Sequence, residues 1–304
     1  VSYTFAGNEF VLRRPAITTF RPLTDNDRGA GHGFERVQWL GAGRYARCVD
    51  NVLEQIDDST LKGTYTYELA TAQRTKVTVS YTAHTDGRVN LHVEYPGEQG
   101  DLPTIPAFGI EWTLPVQYTN LRFFGTGPAE TYLDRKHAKL GVWSTNAFAD
   151  HAPYLMPQET GNHEDVRWAE ITDDHGHGMR VSRADGAAPF AVSLLPYSSF
   201  MLEELSTRTS CRSRSTCSCA SLPHRWALAA MIPGCRRCTP STISRRTSDQ
   251  PRCRPRADLI RIDPIVHRCK RCGPRLPRRK SGATSFARSL LVQRMRRISM
   301  QIQT

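Results

Sequence analysis

Carboxylates and amides crowd three short stretches of the chain. These are Thr24-Asp25-Asn26-Asp27 with Gly29, Glu130-Thr131-Tyr132-Leu133-Asp134-Arg135, and Gln158-Glu159-Thr160-Gly161-Asn162 followed by Arg167. Such side chains accept and donate hydrogen bonds to ligands rich in hydroxyls. Asp25, Asn26 and Asp27 equally suit Asx turns that hold a loop. Glu130, Asp134 and Arg135 have the makings of a buried charge network, because a buried charge is tolerated only when paired. Gln158, Glu159, Asn162 and Arg167 admit the same two readings. Acid–base chemistry by two carboxyls requires them to face each other across the reacting bond, about 5 Å apart in the closest arrangement. No pair in the sequence stands out for that task, so no catalytic residue is assigned.

Metal chemistry has two candidates. His175-Gly176-His177 offers two nitrogens in a Gly-rich turn, short of the three or four ligands a zinc site uses, and reads as a solvated loop. Cys235-x-x-Cys238 and Cys269-x-x-Cys272 are spaced like zinc-knuckle pairs among arginines, a pattern of nucleic-acid-binding zinc modules. Against this, the gap of about 30 residues exceeds the 15–20 of a compact zinc ribbon. Cys211, Cys217, Cys219 and Cys253 have no place in it either.

The elements that must position these residues divide the chain in two. Ser206–Thr304 carries 23 Lys+Arg against 3 Asp+Glu, whereas Val1–Leu205 carries 18 against 26. Eight of the nine cysteines also lie beyond Ser206, and only Cys48 precedes it. A shift of this size marks a boundary. One cysteine in the front region fits a reducing, cytoplasmic setting. There is no signal-peptide pattern and no run of about 18 apolar residues. The start on Val1 rather than Met suggests a fragment of a longer chain.

Period-two patterning dominates the front. Thr64–Leu69, Lys76–Tyr81 and Arg88–Tyr95 alternate and are rich in β-branched and aromatic residues. Thr85-Asp86-Gly87 predicts a hairpin turn between the last two. Further strands are expected at Phe10–Leu12, Gly109–Leu114, Leu121–Phe124, Val166–Ile171, Met179–Ser182 and Phe190–Leu194. Asn51–Ile56 is expected to form one short helical turn. Many short strands punctuated by Gly and Pro predict an all-β sandwich.

Four stretches in order identify a family. They are Phe20-Arg21-Pro22-Leu23-Thr24-Asp25-Asn26-Asp27-Arg28-Gly29, Phe124-Gly125-Thr126-Gly127-Pro128-Ala129-Glu130 running on to Arg135, Tyr154-Leu155-Met156-Pro157-Gln158-Glu159-Thr160-Gly161-Asn162 with Arg167-Trp168, and Leu195-Pro196-Tyr197-Ser198. Together they resemble the small C-terminal domain of family 2 β-galactosidases over roughly Val1–Leu205. The resemblance implies a large antiparallel super-sandwich of the galactose mutarotase type. It implies a place beside a catalytic barrel that holds both catalytic Glu residues and the Mg and Na ions, all outside this chain. It implies oligomer contacts and a loop at the mouth of a pocket for terminal β-D-galactosides such as lactose, with Asp25, Asn26, Asp27 and Gly29 nearest the sugar. Many members have Trp-Arg-Ala-Pro where this chain has Phe20-Arg21-Pro22-Leu23, so the local turn differs. Trp39, Trp112, Trp143 and Trp168 can stack on sugar, although aromatic burial in sandwich cores gives them a structural reading too. The expected function is that of a carbohydrate-binding and structural domain, inactive by itself. The alternatives are a stand-alone sugar-binding module and a nucleic-acid binder acting through the basic region.

A shift of reading frame accounts for the basic region. Regrouping the codons of Ala230-Met231-Ile232-Pro233-Gly234 from the third base can spell Asp-Asp-Ser-Trp. Extended from Ser206, the shifted frame can read through GGDDSW, which resembles the continuation of the β-galactosidase small domain. In that family the Trp of this segment reaches the sugar pocket, and Trp226 is not its counterpart. On this reading 206–304 is an out-of-frame tail whose composition favours disorder, and the sandwich of 1–205 lacks its last strands.

Overall fold

The computed structural model describes residues 3–97, 100–135, 137–204, 226–231 and 259–265. In chain order the strands are β1 Tyr3–Phe5, β2 Asn8–Val11, β3 Ala16–Thr18, β4 Arg47–Asp57, β5 Thr60–Glu68, β6 Lys76–His84, β7 Val89–Glu94, β8 Gly109–Leu114, β9 Asn120–Gly127 and β10 Lys139–Asn146. They continue with β11 His163–Val166, β12 Trp168–Thr172, β13 Gly178–Arg183, β14 Phe190–Leu195, β15 Trp226–Met231 and β16 Leu259–Ile265. Four short helices intervene: α1 Asp25–Gly29, α2 His32–Glu35, α3 Gln38–Ala42 and α4 Ser199–Glu204. The nine-stranded sheet has the order β10-β9-β12-β13-β16-β7-β6-β5-β4, the five-stranded sheet β11-β14-β15-β8-β3, and β1-β2 form a ribbon. The fold is an all-β sandwich, as the alternating pattern predicts.

Alternation explains the core. β5 buries Leu61, Tyr65 and Tyr67 while Lys62, Thr64 and Thr66 lie on its other face. β9 buries Leu121 and Phe123, and β12 buries Ala169 and Ile171. These residues join Phe10, Trp39, Leu69, Val77, Leu91, Leu114, Val181 and Leu194 in one continuous core. β14 is buried along its whole length, as expected for an interior strand covered on both faces. The turn at Thr85-Asp86-Gly87 forms as expected. Gly87 takes φ +90°, its N–H bonds to the His84 carbonyl, and Asp86 caps the Arg88 amide.

One sequence expectation fails. Asn51–Ile56 is part of β4, a long edge strand paired with β5 through two register irregularities. Its spacing of Val52 and Ile56 resembles a helical face, but pairing with the strongly β-forming Thr64–Tyr67 segment prevails. Both side chains point outward, about half exposed. Two segments beyond Leu205 are built into the sheets: β15 lies between β14 and β8, and β16 between β13 and β7. In β16, Ile260 and Ile262 are turned into the core. The remainder of the basic region, including the Cys-x-x-Cys pairs, lies outside the described residues.

Because β16 joins the two halves of the nine-stranded sheet, its inward side chains matter to the whole. Ile260→Ala is expected to lower stability by about 2–5 kcal/mol, read as a shift in the urea midpoint. An unchanged midpoint would mean that this strand is not part of the folded sheet.

Candidate functional site

The four motif-bearing stretches of the sequence meet at one end of the sandwich. The first enters after β3 and folds into α1, which the sequence reading took for a loop. Thr24 is the N-cap: its hydroxyl accepts from the Asp27 amide, and the Asp27 carboxylate accepts from the Thr24 amide at 3.0 Å. This reciprocal capping box is a helix-start signature that the Thr24-x-x-Asp27 spacing already carries, with Asp in place of the usual Glu or Gln. Asp27 is buried, with Arg21 Nη1 2.6 Å from its Oδ2 and Arg36 Nη1 3.7 Å from its Oδ1. Burial pushes its carboxyl up, but the hydrogen bond and charge of Arg21 outweigh that and hold it below the usual carboxylate range. Of the residues expected nearest to sugar, Asp27 therefore faces inward and braces the helix. Asp25, Asn26 and Gly29 are exposed.

The third stretch docks on α1. Gln158 is buried; its Oε1 accepts from the Asp25 amide at 2.9 Å and its Nε2 donates to Asp25 Oδ2 at 3.2 Å. Arg28 donates to the Pro157 carbonyl. Glu203 of α4 accepts from the Leu23 amide at 2.8 Å and pairs with Arg28 at 3.5 Å.

The second stretch is held by Glu130. Its Oε1 accepts from Arg135 Nη1 and from the Tyr154 hydroxyl, both at 2.6 Å. Its Oε2 accepts from the Thr160 hydroxyl at 3.0 Å and the Gly161 amide at 2.9 Å. Gly161 takes φ +69°, and a Cβ there would come 2.2 Å from the Asp150 carbonyl oxygen, so only glycine fits. Asn162 reinforces the contact, donating to the Thr131 carbonyl while its own carbonyl accepts from the Thr131 amide. The expected charge network thus forms between Glu130 and Arg135. Asp134 stands exposed at the turn, outside it, because the turn points that side chain to solvent. Tyr132 packs beside Glu130 and Glu159, and its phenol is pushed up by burial and by both carboxylates. Arg167 lies away on the sheet face, over the Phe124 ring.

Glu159 differs from its neighbours. It is 6 % exposed, and its carboxylate makes no hydrogen bond among the described residues. Burial pushes its carboxyl up to about 7, with Glu130 and Asp27 adding to the rise and Arg21 opposing it. It lines a cavity of about 20 Å³ with Phe20, Glu111, Ser193, Tyr197 and Leu202. A second cavity of about 40 Å³ lies between Tyr154, Gln158, Thr160, Tyr197 and Leu202. The fourth stretch therefore supplies a shared wall through Tyr197. Neither space admits a sugar ring. Outside, the same loops expose Phe34, Val37, Leu133, Leu155 and Met156, with Phe34 and Leu155 about nine-tenths exposed.

Other candidates are placed plainly. Trp39 and Trp112 are core residues; Trp143 and Trp168 are half-buried on the sheet, Trp168 beneath the guanidinium of Arg180. His175 and His177 occupy the β12–β13 turn, where both backbone amides bond to Asp173. Among the described residues no group of three or more His, Cys, Asp or Glu side chains is arranged to hold a metal, and no helix is long and apolar enough to cross a membrane. Sequence reasoning missed the buried His163–Asp150 pair at 2.9 Å, as well as Glu111 and Glu203. Only the capping-box spacing gave a signal for any of the missed features.

The family described as "Beta galactosidase small chain" matches residues 1–224. Among known proteins, the chain is 73% identical over 205 residues to β-galactosidase BgaC of Bifidobacterium adolescentis, covering 67% of this chain and 20% of that protein. It is 38% identical over 192 residues to a β-galactosidase of Streptococcus thermophilus, covering 63% and 18%. It is 31% identical over 232 residues to a β-galactosidase small subunit of Latilactobacillus sakei, covering 66% and 71%. The chain spans about a fifth of the length of the first two relatives.

The Asp27 ion pair sets a pH dependence. Its carboxyl is depressed in the folded state, so its contribution is complete above the ordinary aspartate value near 3.8 and is lost as pH falls through the lower folded value. Asp27→Asn is expected to cost about 1–3 kcal/mol at pH 7. The difference from wild type should shrink at pH 3 in urea denaturation. A difference that persists unchanged in acid would show that the carboxylate charge is not what the helix depends on.

Proposed function

We propose, from the premise that this chain belongs to the β-galactosidase small-chain family, that it is the non-catalytic, sugar-facing part of a β-galactosidase. It braces a catalytic part carried by a longer chain or a separate large subunit, and it presents its motif-bearing end at the rim of a pocket for terminal β-D-galactosides such as lactose. The observation that carries this reading is the convergence of all four stretches on one end of the sandwich. There the polar groups lock one another from within, while Asp25, Asn26 and several apolar side chains face outward. The small subunit of the L. sakei enzyme, a separate protein of similar extent, supports a partner of this kind. Mg and Na ions belong, on this reading, to the catalytic part, and the working enzyme is a cytoplasmic oligomer.

Glycoside hydrolysis requires two carboxyls flanking a bound sugar, roughly 5–5.5 Å apart for retention and 6.5–9.5 Å for inversion. The partners of the carboxylates at this end support a non-catalytic reading. Asp27 and Glu130 are saturated by donors, and Glu111 and Glu159 face a space of about 20 Å³. The full chain assayed by itself is expected to show no turnover of a chromogenic β-galactoside. Turnover that is lost in Glu159→Gln would assign catalysis to this chain and overturn the reading.

The frame shift near Ser206 belongs to the same proposal. The strong identity to the Bifidobacterium relative spans 205 residues, and charge and cysteine content change at Ser206. The sandwich needs strands in the slots between β14 and β8 and between β13 and β7; the native frame supplies different residues for them. Sequencing the gene across codon 206 tests this. One restored base should encode GGDDSW and raise the melting temperature; third bases incompatible with that string would end the idea.

A further inference from the structure

We infer that the cavity between Glu111 and Glu159 is a binding site for one hard divalent cation. Four carboxylate side chains are buried among the described residues: Asp27, Glu130, Asp150 and Glu159. Three of them have a partner in contact: Asp27 has Arg21, Glu130 has Arg135 with three further donors, and Asp150 has a ring nitrogen of His163. Glu159 is the exception. Its carboxylate lies more than nine-tenths buried in the cavity wall, with no donor from the described residues. A buried carboxylate without a partner is costly, so the structure has a place for a positive charge there.

A second carboxylate lines the same space. Glu111 reaches it from β8, and it too receives no hydrogen bond among the described residues. Among the described residues, Arg21 acts on Glu159 and Arg44 on Glu111 through charge alone, and neither guanidinium hydrogen-bonds to these carboxylates. Arg21 donates to Asp27 and to the Pro22 carbonyl, and Arg44 lies 4.3 Å above the Phe200 ring. The remaining polar atoms of the wall are hydroxyls from Thr18, Ser193, Tyr197 and Ser199. With neither His nor Cys among the described residues of the wall, the donor set they offer is all oxygen, which suits Ca²⁺ or Mg²⁺ and disfavours Zn²⁺. Two carboxylates balance one divalent charge. The volume of about 20 Å³ admits a single ion or water and excludes an organic ligand.

Such an ion would join β8 of the five-stranded sheet, the Glu159 segment and the loop leading into α4. It would fasten the back of the end face at Glu159, whose carboxylate makes no hydrogen bond among the described residues.

The test uses the full chain, stripped with EDTA and titrated with calcium chloride. The expected result is one saturable site and a melting temperature raised by about 5 °C at saturation. Glu159→Gln and Glu111→Gln preserve shape and should each weaken calcium affinity at least tenfold. If Glu159→Gln fails to fold, Glu111→Gln, in the less buried wall, carries the comparison. A crystal soaked in manganese chloride should give an anomalous peak between the two carboxylates. No saturable uptake of calcium by the stripped chain would overturn the inference and leave the cavity to protonated carboxyls and water. Equal affinity in wild type and both variants, or a manganese peak elsewhere, would overturn it too.

Discussion

The burial of the Glu130 carboxylate organises the end of the molecule that matters. A buried charge costs several kcal/mol unless donors surround it. Here four donors do: Arg135, Tyr154, Thr160 and the Gly161 amide. They come from both sides of a 30-residue span that includes all of β10, so satisfying one carboxylate fixes a long loop against a short one. Once the loop is fixed, Gln158 stands where it can bridge to Asp25, and Pro157 where Arg28 reaches it. The position of α1 follows from the demands of Glu130 rather than from its own five residues, which are too few to be stable alone.

This dependence explains what the sequence could and could not convey. Strands were legible wherever one face is core, because alternation repeats locally: Lys76–Tyr81 and Leu121–Phe124 both lie within observed strands. β4 was not legible, since both its faces are largely exposed and no burial pattern disciplines it. In the site, residue types were informative and partners were not. Glu130 and Arg135, five apart, could be paired by eye, but Thr160 and Tyr154 come within reach only after the chain has turned back. The expected place of Asp134 in the network fails for a local reason: the turn directs it to solvent. Asp27 illustrates the opposite case. Its spacing from Thr24 is that of a capping box, a signal the Asx-turn reading passed over, and such a cap removes the carboxylate from ligand contact.

The basic region shows how far pairing can override composition. A segment of net positive charge contributes two strands, each paired on both sides through backbone ladders. Arg261 and Asp263 point outward and pair with each other, while Ile260 and Ile262 fill the core. Backbone ladders are indifferent to side-chain identity on the solvent face. A strand slot is therefore a weaker constraint on sequence than a polar site in which each atom has a named partner.

That contrast bears on how a domain of this kind serves a larger enzyme. A surface that helps shape a pocket must hold its outward groups in place without using them for its own stability. Here the inward members of each stretch do the holding: Asp27 caps α1, Gln158 ties it down and Glu130 anchors the loop. Asp25 turns Oδ2 toward Gln158 and Oδ1 toward Arg28 at 3.8 Å, yet 70 % of its side chain is exposed. Phe34 and Leu155 project from segments fixed on either side of α1. Exposed apolar side chains on a braced polar frame lose little conformational freedom when a partner covers them, so burying them contributes to association with a small entropic penalty. The rigidity of the interior is what makes the exterior available.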